Sequence, residues 1–584
     1  MSVLIPEGKR DWGRLIRAPL GLLIVVLLLA ACANPGPASS TPQGSSATAA
    51  SAPASSGPKT LQLGYRDDPP AIHGGSSSSP ERDIGELLNA GLTTFDAVGN
   101  VVTKLAAKVP SVADGDWKVN SDGGMEVTWK LKPGLKWHDG AAFTAEDLAF
   151  SIKLFKDPEW LAAIPSGVVP ITEATAIDAQ TLVIKYLRTS NQATVAGSTE
   201  LPPVPRHLLE TVYASGGASA VGNSELFTTK WVGMGPYKMT SRTLGSQIEA
   251  AAFDDYVLGR PKIDRLVIKS TSDSNALVAR LLAGDVDMVP NQMEASQAAT
   301  LKQQWESAGR GTVSPVATRV RQVQLNFRDP AAPWAGDVRV RQGMLHLVDR
   351  QGLVDAVMSG LSPVAHTALL PTDPAYAQLE QRGLPRFPLD RAQGERLLDA
   401  AGWPRGADGM RRNAAGTVFR FNPANAVAGG DSGDEETLVL VDGFKAGGIQ
   451  SEPDFIIETA ADASERRAKS NGISRPSVPD NSYWDRFLSS QISAESNRWR
   501  LANTGGYSNP EVDRLIDQWR ATLDPSQLVG RTAELHKLLL DEMPALPLYY
   551  QVEVFAFRKG LNGPGTFSPR GRNATVDIHT WTLD

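Results

Sequence analysis

Four ionisable side chains lie close together in LKWHDGAAFTAEDLAFSIK, residues 135–153, where His138 precedes Asp139 and Glu146 precedes Asp147. Such groups could act as an acid–base pair or bind a metal. Adjacent residues on a strand point to opposite faces, however, and a metal site needs several convergent ligands. The sequence has no HExxH, CxxC or Walker-type motif. We therefore predict no catalytic residue, no metal site and no cofactor.

The residues before this segment predict a strand. Apolar and polar residues alternate strictly through MEVTWKLK, and Pro133-Gly134 follows as a turn. This pattern predicts a half-buried hairpin. The apolar face comprises Met125, Val127, Trp129 and Leu131.

The residues after it predict a helix. Thr144 is a good N-cap, and Glu146 and Asp147 would lie in the first turn, where the helix dipole favours acidic groups. The positions of Leu148, Ile152 and Phe155 define one buried stripe. The acidic pair is thus explained as the start of a helix.

Strand and helix patterns alternate along the rest of the chain, which predicts a mixed α/β protein. Strands are expected near 61–65 and 545–557. Helices are expected after Asp349 and Asp390, the latter ending at Gly402, and after the cap Asn509.

The N-terminus has the features of an export signal. A basic segment precedes the apolar run 20–31, which at twelve residues is too short to span a bilayer. The run ends in Leu-Ala-Ala-Cys, which resembles the lipobox of bacterial lipoproteins and implies lipidation of Cys32. Cys32 is the only cysteine, so no intramolecular disulfide can form.

Composition restricts the possible structure and function of the rest of the chain. Residues 33–58 are uncharged and rich in Ala, Ser, Pro and Gly, which predicts a flexible tether. The 584 residues are too many for one hydrophobic core. A net charge of -6 argues against nucleic-acid binding.

A series of motifs in a fixed order resembles the family 5 extracellular solute-binding proteins of ABC importers. They run through nearly all of residues 60–584. The motifs are LKPGLKWHDGAAFTAEDLAFS, GMGPYKM, FDDYVLGRPKIDRL, NALVARLLAGDVDMV, DVRVRQGMLHLVDRQGLVDAVMSG, LDRAQGERLLDAAGW and YSNPEVDRLID.

The resemblance implies a two-lobed class II periplasmic-binding-protein fold with an extra subdomain in lobe I. The implied boundaries are 1–31 for the lipoprotein signal peptide, 32–59 for the tether, 60–96, 201–315 and 546–584 for lobe I, 97–200 for its inserted subdomain, and 316–545 for lobe II.

The same resemblance implies that the protein is not an enzyme. It would capture a small or peptide-like ligand between its lobes and deliver it to an ABC permease in the cytoplasmic membrane. We expect a monomer, lipid-anchored on the extracytoplasmic face. Two alternatives are an exported hydrolase using cleft carboxylates such as Asp67, Asp68 and Asp480, and a ligand sensor without transport.

At one position of the ligand site implied between the lobes, this sequence lacks the acidic residue that peptide-binding members of the family carry. Peptide-binding members carry an aspartate that pairs with the peptide's α-ammonium, and Ser477 aligns with it here. We therefore expect a ligand that is neutral or differently charged. The predicted ligand-binding residues are Tyr65, Asn326, Asn422, Ser477, Asp480 and Trp484.

Overall fold

A ten-stranded mixed sheet runs through the computed structural model, which confirms the mixed α/β class. The structure describes residues 57–72, 79–96, 99–160, 168, 170–427, 433–478, 481–565 and 574–584.

The strands are β1 Thr60–Tyr65, β2 Thr93–Phe95, β3 Val101–Thr103, β4 Trp117–Val119, β5 Met125–Lys130, β6 Ile171–Asp178, β7 Thr181–Tyr186, β8 Tyr237–Thr243, β9 Gln247–Ala252, β10 Arg265–Ser270, β11 Met288–Pro290, β12 Gly311–Leu325, β13 Pro423–Val427, β14 Asp454–Ile457, β15 Gly472–Ser477, β16 Ala545–Arg558, β17 Leu561–Asn562 and β18 Thr582–Leu583.

The helices are α1 Ser79–Leu88, α2 Ala145–Phe155, α3 Arg206–Gly222, α4 Ser274–Ala283, α5 Ala295–Leu301, α6 Val338–Leu347, α7 Arg350–Met358, α8 Pro374–Gln381, α9 Arg391–Ala400, α10 Gly433–Ala446, α11 Ala463–Lys469, α12 Asn481–Asp485, α13 Pro510–Ala521 and α14 Pro525–Glu542.

The long strands β12 and β16 form the centre of the large sheet. They pair antiparallel along almost their whole length, with a bulge between Ala317 and Arg319. On one side the order continues β11-β1-β10-β9-β8, and on the other side β15-β13-β14. The two long strands are therefore shared by both halves of the sheet.

The two halves direct the carboxyl ends of their parallel strands towards each other. Strand β11 ends at Pro290, opposite Phe555 of β16, and β15 ends at Ser477, opposite Val320 of β12. The bulged middle of β12 lies between these two ends. In open α/β sheets, ligands bind outside the carboxyl ends of the strands, which directs attention to this region.

A separate four-stranded sheet, in the order β4-β5-β7-β6, carries the alternating segment. Met125, Val127 and Trp129 are buried on one face, as the alternation predicted. The predicted hairpin is wrong, because β5 pairs with β4 and β7 and not with the residues that follow Pro133. The turn instead directs the chain towards α2, whose apolar side is buried.

The predicted helix starts are confirmed by their caps. Thr144 caps α2, and its backbone N–H donates to Oδ2 of Asp147 at 2.9 Å. Asp349 accepts from the backbone N–H of Gly352 at 2.8 Å at the start of α7. Asn509 caps α13, whose buried face comprises Val512, Leu515, Ile516 and Trp519.

His138 has a structural role. Its Nδ1 accepts from the backbone N–H of Gly233 at 3.2 Å, and its Nε2 donates to the carbonyl of Gly235 at 2.9 Å. Burial lowers the pKa of His138 to about 4, so the ring is neutral near pH 7. The histidine therefore holds the GMGPYKM loop against the KWHDG turn. In the described part of the chain, no group of three or more His, Cys, Asp or Glu could hold a metal ion.

Candidate ligand-binding site

A polar cavity of about 280 Å³ lies where the two halves of the large sheet meet. Segments that follow β1 and β11 form one side, and the middles of β12 and β16 form its floor. The lining residues are Arg66, Asn291, Gln292, Met293, Glu294, Thr318, Arg319, Gln551, Val552 and Glu553.

Three buried polar atoms in this lining have no hydrogen-bond partner among the described residues. They are Nδ2 of Asn291, Oγ1 of Thr318 and Oε1 of Gln551. A buried polar group without a partner costs about 1–3 kcal/mol. Asn291 also has a left-handed backbone with φ of 59°, a conformation that is uncommon outside glycine. A polar ligand in the cavity would form hydrogen bonds with the amide N–H of Asn291, the hydroxyl of Thr318 and the amide oxygen of Gln551.

Two ion pairs border the cavity. Nη1 of Arg66 lies 3.2 Å from Oε1 of Glu294, and Nη2 of Arg319 lies 3.4 Å from Oε1 of Glu553. The first pair is exposed and contributes little to stability, because solvent screens it. Arg66 or Glu294 can therefore leave this pair and bind a charged group of the ligand at a small cost in free energy.

Tyr65 ends β1, directly before the cavity residue Arg66, and its side chain is fully buried. Burial, and then the charge of Asp83, raise the pKa of Tyr65 well above its usual value. Burial likewise raises the pKa of Asp83 to about 7. Tyr65 therefore lies behind the cavity wall and is not one of its lining residues.

Ser477 ends β15 and is fully buried. Its Oγ accepts from Nε2 of Gln322 at 3.2 Å and from Nη1 of Arg486 at 2.7 Å. Ser477, which the resemblance places at the ammonium-binding position, is thus next to an arginine. Asp480, the other candidate in this segment, lies outside the described residues.

Trp484 was predicted to contact ligand, and its placement does not support that prediction. The ring is 2% exposed and packs against Trp519 and His536, with centroids 5.6 and 4.9 Å apart. Trp484 follows Tyr483 on the short helix α12. The sequence around it shows no clear buried stripe. The contacts make Trp484 part of a hydrophobic core.

Asn326 and Asn422, two of the predicted ligand-binding residues, do not line this cavity and lie near the opposite end of the sheet from it. Asn326 donates through Nδ2 to the carbonyls of Ala468 and Ser470, and Oδ1 of Asn422 accepts from the backbone N–H of Glu452. Because β12 is extended, Asn326 is roughly 25 Å from Thr318 at about 3.3 Å per residue. Both amides instead connect loops at the amino ends of β13 and β15.

Two of the carboxylates proposed for a hydrolase, Asp67 and Asp68, lie among the described residues, whereas Asp480 does not. Oδ1 of Asp68 lies 2.9 Å from Nη2 of Arg242, and its Oδ2 accepts from the backbone N–H of Gly245 at 2.8 Å. Asp67 is exposed. Asp68 therefore has a structural role.

Residues 107–485 match the family described as bacterial extracellular solute-binding proteins, family 5 Middle. The protein belongs to this family. The match covers more than half of the chain, and the ordered motifs recognised in the sequence lie within it or beside it. Its role is therefore to bind a solute outside the cytoplasm for an ABC importer.

The family 5 protein is similar in sequence and structure to proteins of known specificity. It is 26% identical over 581 residues to the oligopeptide-binding protein AppA of Bacillus subtilis (strain 168), covering 96% of this chain and 97% of AppA. The structure of B. subtilis AppA in complex with a nonapeptide superposes with a TM-score of 0.65, at 22% identity, over 90% of this chain and all of AppA.

A second solved structure, NikZ from Campylobacter jejuni in complex with Ni(L-His), superposes with a TM-score of 0.66 at 21% identity, over 90% of this chain and 99% of NikZ. These likenesses establish the two-lobed class II periplasmic-binding-protein fold. In the described residues, no helix has both the length and the apolar character needed to cross a membrane.

Sequence reasoning missed the residues that line the cavity of this solute-binding protein. Thr318, Gln551 and Glu553 lie inside long strands, where no turn or motif marks them. Arg66 and Asn291 could have been found, because each directly follows a predicted or short strand and strand ends are where ligands bind.

Proposed function

We propose that this protein binds its solute in the cavity between Arg66, Asn291, Thr318 and Gln551, and that the solute is a small polar or peptide-like molecule. The cavity supports this proposal because it is polar and lies between the carboxyl ends of two sets of strands. The unpartnered amide and hydroxyl groups are the single observation that carries it.

We further propose that the two halves of the sheet belong to two lobes that close on the ligand. Lobe I would comprise 60–96, 201–315 and 546–584, with the subdomain 97–200 inserted, and lobe II would comprise 316–545. The bulge beside Ala317 supports a boundary near residue 316, because a bulge interrupts the ladder and bends the strand. The strands β12 and β16 would then act as the hinge.

In this proposal, ligand contacts from both lobes stabilise the closed state. A ligand shifts a conformational equilibrium only by its difference in affinity for the two states. A ligand that contacts Asn291 on one side and Thr318 on the other has such a difference. The permease would recognise the closed form, and no chemical step on the ligand is required.

The lipid anchor and the monomeric state are also proposals. Cys32 and most of the tether, residues 32–56, lie outside the described residues, so the lipobox-like sequence supports the anchor. A lipidated N-terminus would keep the binding domain near the extracytoplasmic face of the membrane, where its permease lies.

Native mass spectrometry of the purified protein, followed by release of any bound molecule, would identify the solute. Adding that solute back should raise the melting temperature and reduce the radius of gyration measured by X-ray scattering. The double variant Asn291→Ala/Gln551→Ala should lose both responses. The matched control Asn413→Ala, in a turn that does not line the cavity, should keep them.

The two outcomes that contradict the proposal are distinct. A solute that binds equally to the cavity variant would place the site elsewhere. A solute that the protein converts over many turnovers would favour the hydrolase.

A further inference from the structure

Asp83 on α1 is a buried acidic residue with few hydrogen bonds to its carboxyl group. Its Oδ1 accepts from the backbone N–H of Ala574 at 3.3 Å. Its Oδ2 has no hydrogen-bond partner among the described residues, and neither does the hydroxyl of Tyr65, which lies beside it. A buried carboxylate is stable when several hydrogen bonds or a cation compensate its charge. The surroundings of Asp83 therefore do not commit it to the ionised form.

Charged side chains on neighbouring elements act on Asp83. Arg82 precedes it on α1, and Glu553 belongs to the central strand β16. Burial is the main reason that the pKa of Asp83 is raised to about 7, while the charge of Arg82 opposes this rise and that of Glu553 adds to it. Strand β8 also packs against α1, but its Arg242 lies 2.9 Å from Oδ1 of Asp68. Glu553 is therefore an acidic group that disfavours ionisation of Asp83.

Glu553 connects Asp83 to the candidate cavity, because Glu553 is one of the lining residues. Its Oε1 lies 3.4 Å from Nη2 of Arg319, which also lines the cavity. A second connection runs along β1, where the buried Tyr65 directly precedes the lining residue Arg66. Asp83 itself does not line the cavity, but a charge that acts on its protonation lies in the cavity wall.

A solute in the cavity would change this electrostatic balance. Solvent that enters the cavity screens the charge of Glu553, and a solute that fills the cavity excludes this solvent. Coulomb interactions become stronger in the lower dielectric that results. The repulsion between the carboxylates of Glu553 and Asp83 then increases, so the neutral form of Asp83 becomes more favourable.

We propose that Asp83 takes up a proton when the cavity is filled, so that solute binding becomes stronger as the pH falls. The proposal rests on the proposed function and describes the regulation of that same site. By linkage the effect is reciprocal, because a proton that binds the filled state better also favours the filled state by the same factor. The gain in affinity begins as the pH falls through the pKa of the filled state. It is complete below the pKa of the open state, which is about 7.

Infrared difference spectroscopy tests the proposal on the purified protein. The difference between a protein and its Asp83→Asn variant isolates the carbonyl band of the protonated Asp83 carboxyl, and titration of this band gives the pKa. Thr318→Phe places a ring in the cavity and takes the place of a bound solute. We expect it to raise the pKa of Asp83 by about one pH unit. The matched control Thr318→Val removes the same hydroxyl without filling the cavity, and it should leave the pKa unchanged.

Glu553→Gln tests the connection by a second route. This substitution removes the negative charge in the cavity wall, so the pKa of Asp83 should fall by about one pH unit. Thr318→Phe should no longer raise the pKa when it is combined with Glu553→Gln, because Asp83 is already buried and the ring changes its own hydration little. Melting temperatures show which variants are folded, and each of the two single variants tests the connection by itself.

Three results would overturn the proposal: a pKa of Asp83 close to its usual value of about 4, the same pKa in the wild type and Thr318→Phe, or no change with Glu553→Gln. The proposed function fails separately. A co-purified solute that binds Asn291→Ala/Gln551→Ala as tightly as the wild type would place the solute site elsewhere. The response of Asp83 to Thr318→Phe would remain, because it does not depend on that solute.

Discussion

Oγ of Ser477 accepts a hydrogen bond from Nη1 of Arg486 at 2.7 Å. The sequence resemblance predicts that this serine takes the place of the aspartate that binds the ligand ammonium in peptide-binding members of the family. Here the neighbouring side chain is an arginine, which does not replace the aspartate as a partner for an ammonium group. The relationship agrees with the prediction of a ligand that is neutral or differently charged.

Ordinary peptides with free amines should therefore bind weakly. We expect calorimetry with a library of di- to pentapeptides to give affinities weaker than micromolar, because no described carboxylate pairs with the ammonium at this position. Micromolar or tighter binding that is abolished by Asp480→Ala would show that Asp480 provides the missing anion.

Thr318→Val should affect binding and stability in opposite directions. The hydroxyl of Thr318 is buried without a partner, so replacing it with a methyl group of similar shape removes an unsatisfied group. The free protein should become slightly more stable, by about 0.5–1 kcal/mol, and affinity for the co-purified solute should fall about fivefold. Urea unfolding and calorimetry measure the two effects. A loss of stability would mean that the hydroxyl is satisfied in the free protein.

Glu436→Gln should destabilise the protein by about 3 kcal/mol. Glu436 is buried, accepts from Arg321, and also accepts from the hydroxyl of Tyr549 at 2.6 Å. The substitution removes the carboxylate that pairs with the partly buried Arg321 guanidinium. The free energy of unfolding in urea measures the loss. Glu435→Gln, at the exposed neighbouring position, should change it by less than about 0.5 kcal/mol.

Stability should decline as the pH falls from about 6.5 to about 4, in part because of His138. Its pKa is about 4 in the folded protein and 6.5 ordinarily, so the unfolded chain binds the proton first. The contribution of neutral His138 to stability is complete above pH 6.5. Its loss lowers the free energy of unfolding by about 3 kcal/mol. Unfolding at pH 7.5 and 4.5 should show a smaller decline for His138→Gln than for the wild type. His207→Gln, at a partly exposed histidine, should retain the decline. An equal decline in all three proteins would show that groups other than His138 cause the loss of stability.

Cys32→Ser should release the protein from the membrane. We expect mass spectrometry of the mature wild-type N-terminus to show a lipidated Cys32, and the variant to appear in the soluble fraction. A wild-type product that begins at another residue and carries no lipid would contradict the proposed anchor.

Much of the local structure could be predicted from sequence. The alternation through β5, the cap at Thr144 and the apolar face of α13 were all recognised correctly, because each depends on residues a few positions apart. The ordered motifs likewise identified the family. The partners of β5 could not be predicted, because strand pairing depends on distant segments.

The sequence by itself determined the family, the mixed α/β class and the absence of an aspartate at position 477. Only the tertiary structure decided which side chains meet at the cavity. Thr318 and Gln551 are brought together by the pairing of β12 with β16, and the opposite directions of β12 and β15 place Asn326 far from the cavity. Local patterns specify helices and strands over a few residues, whereas a ligand site depends on strand order and direction across the whole chain.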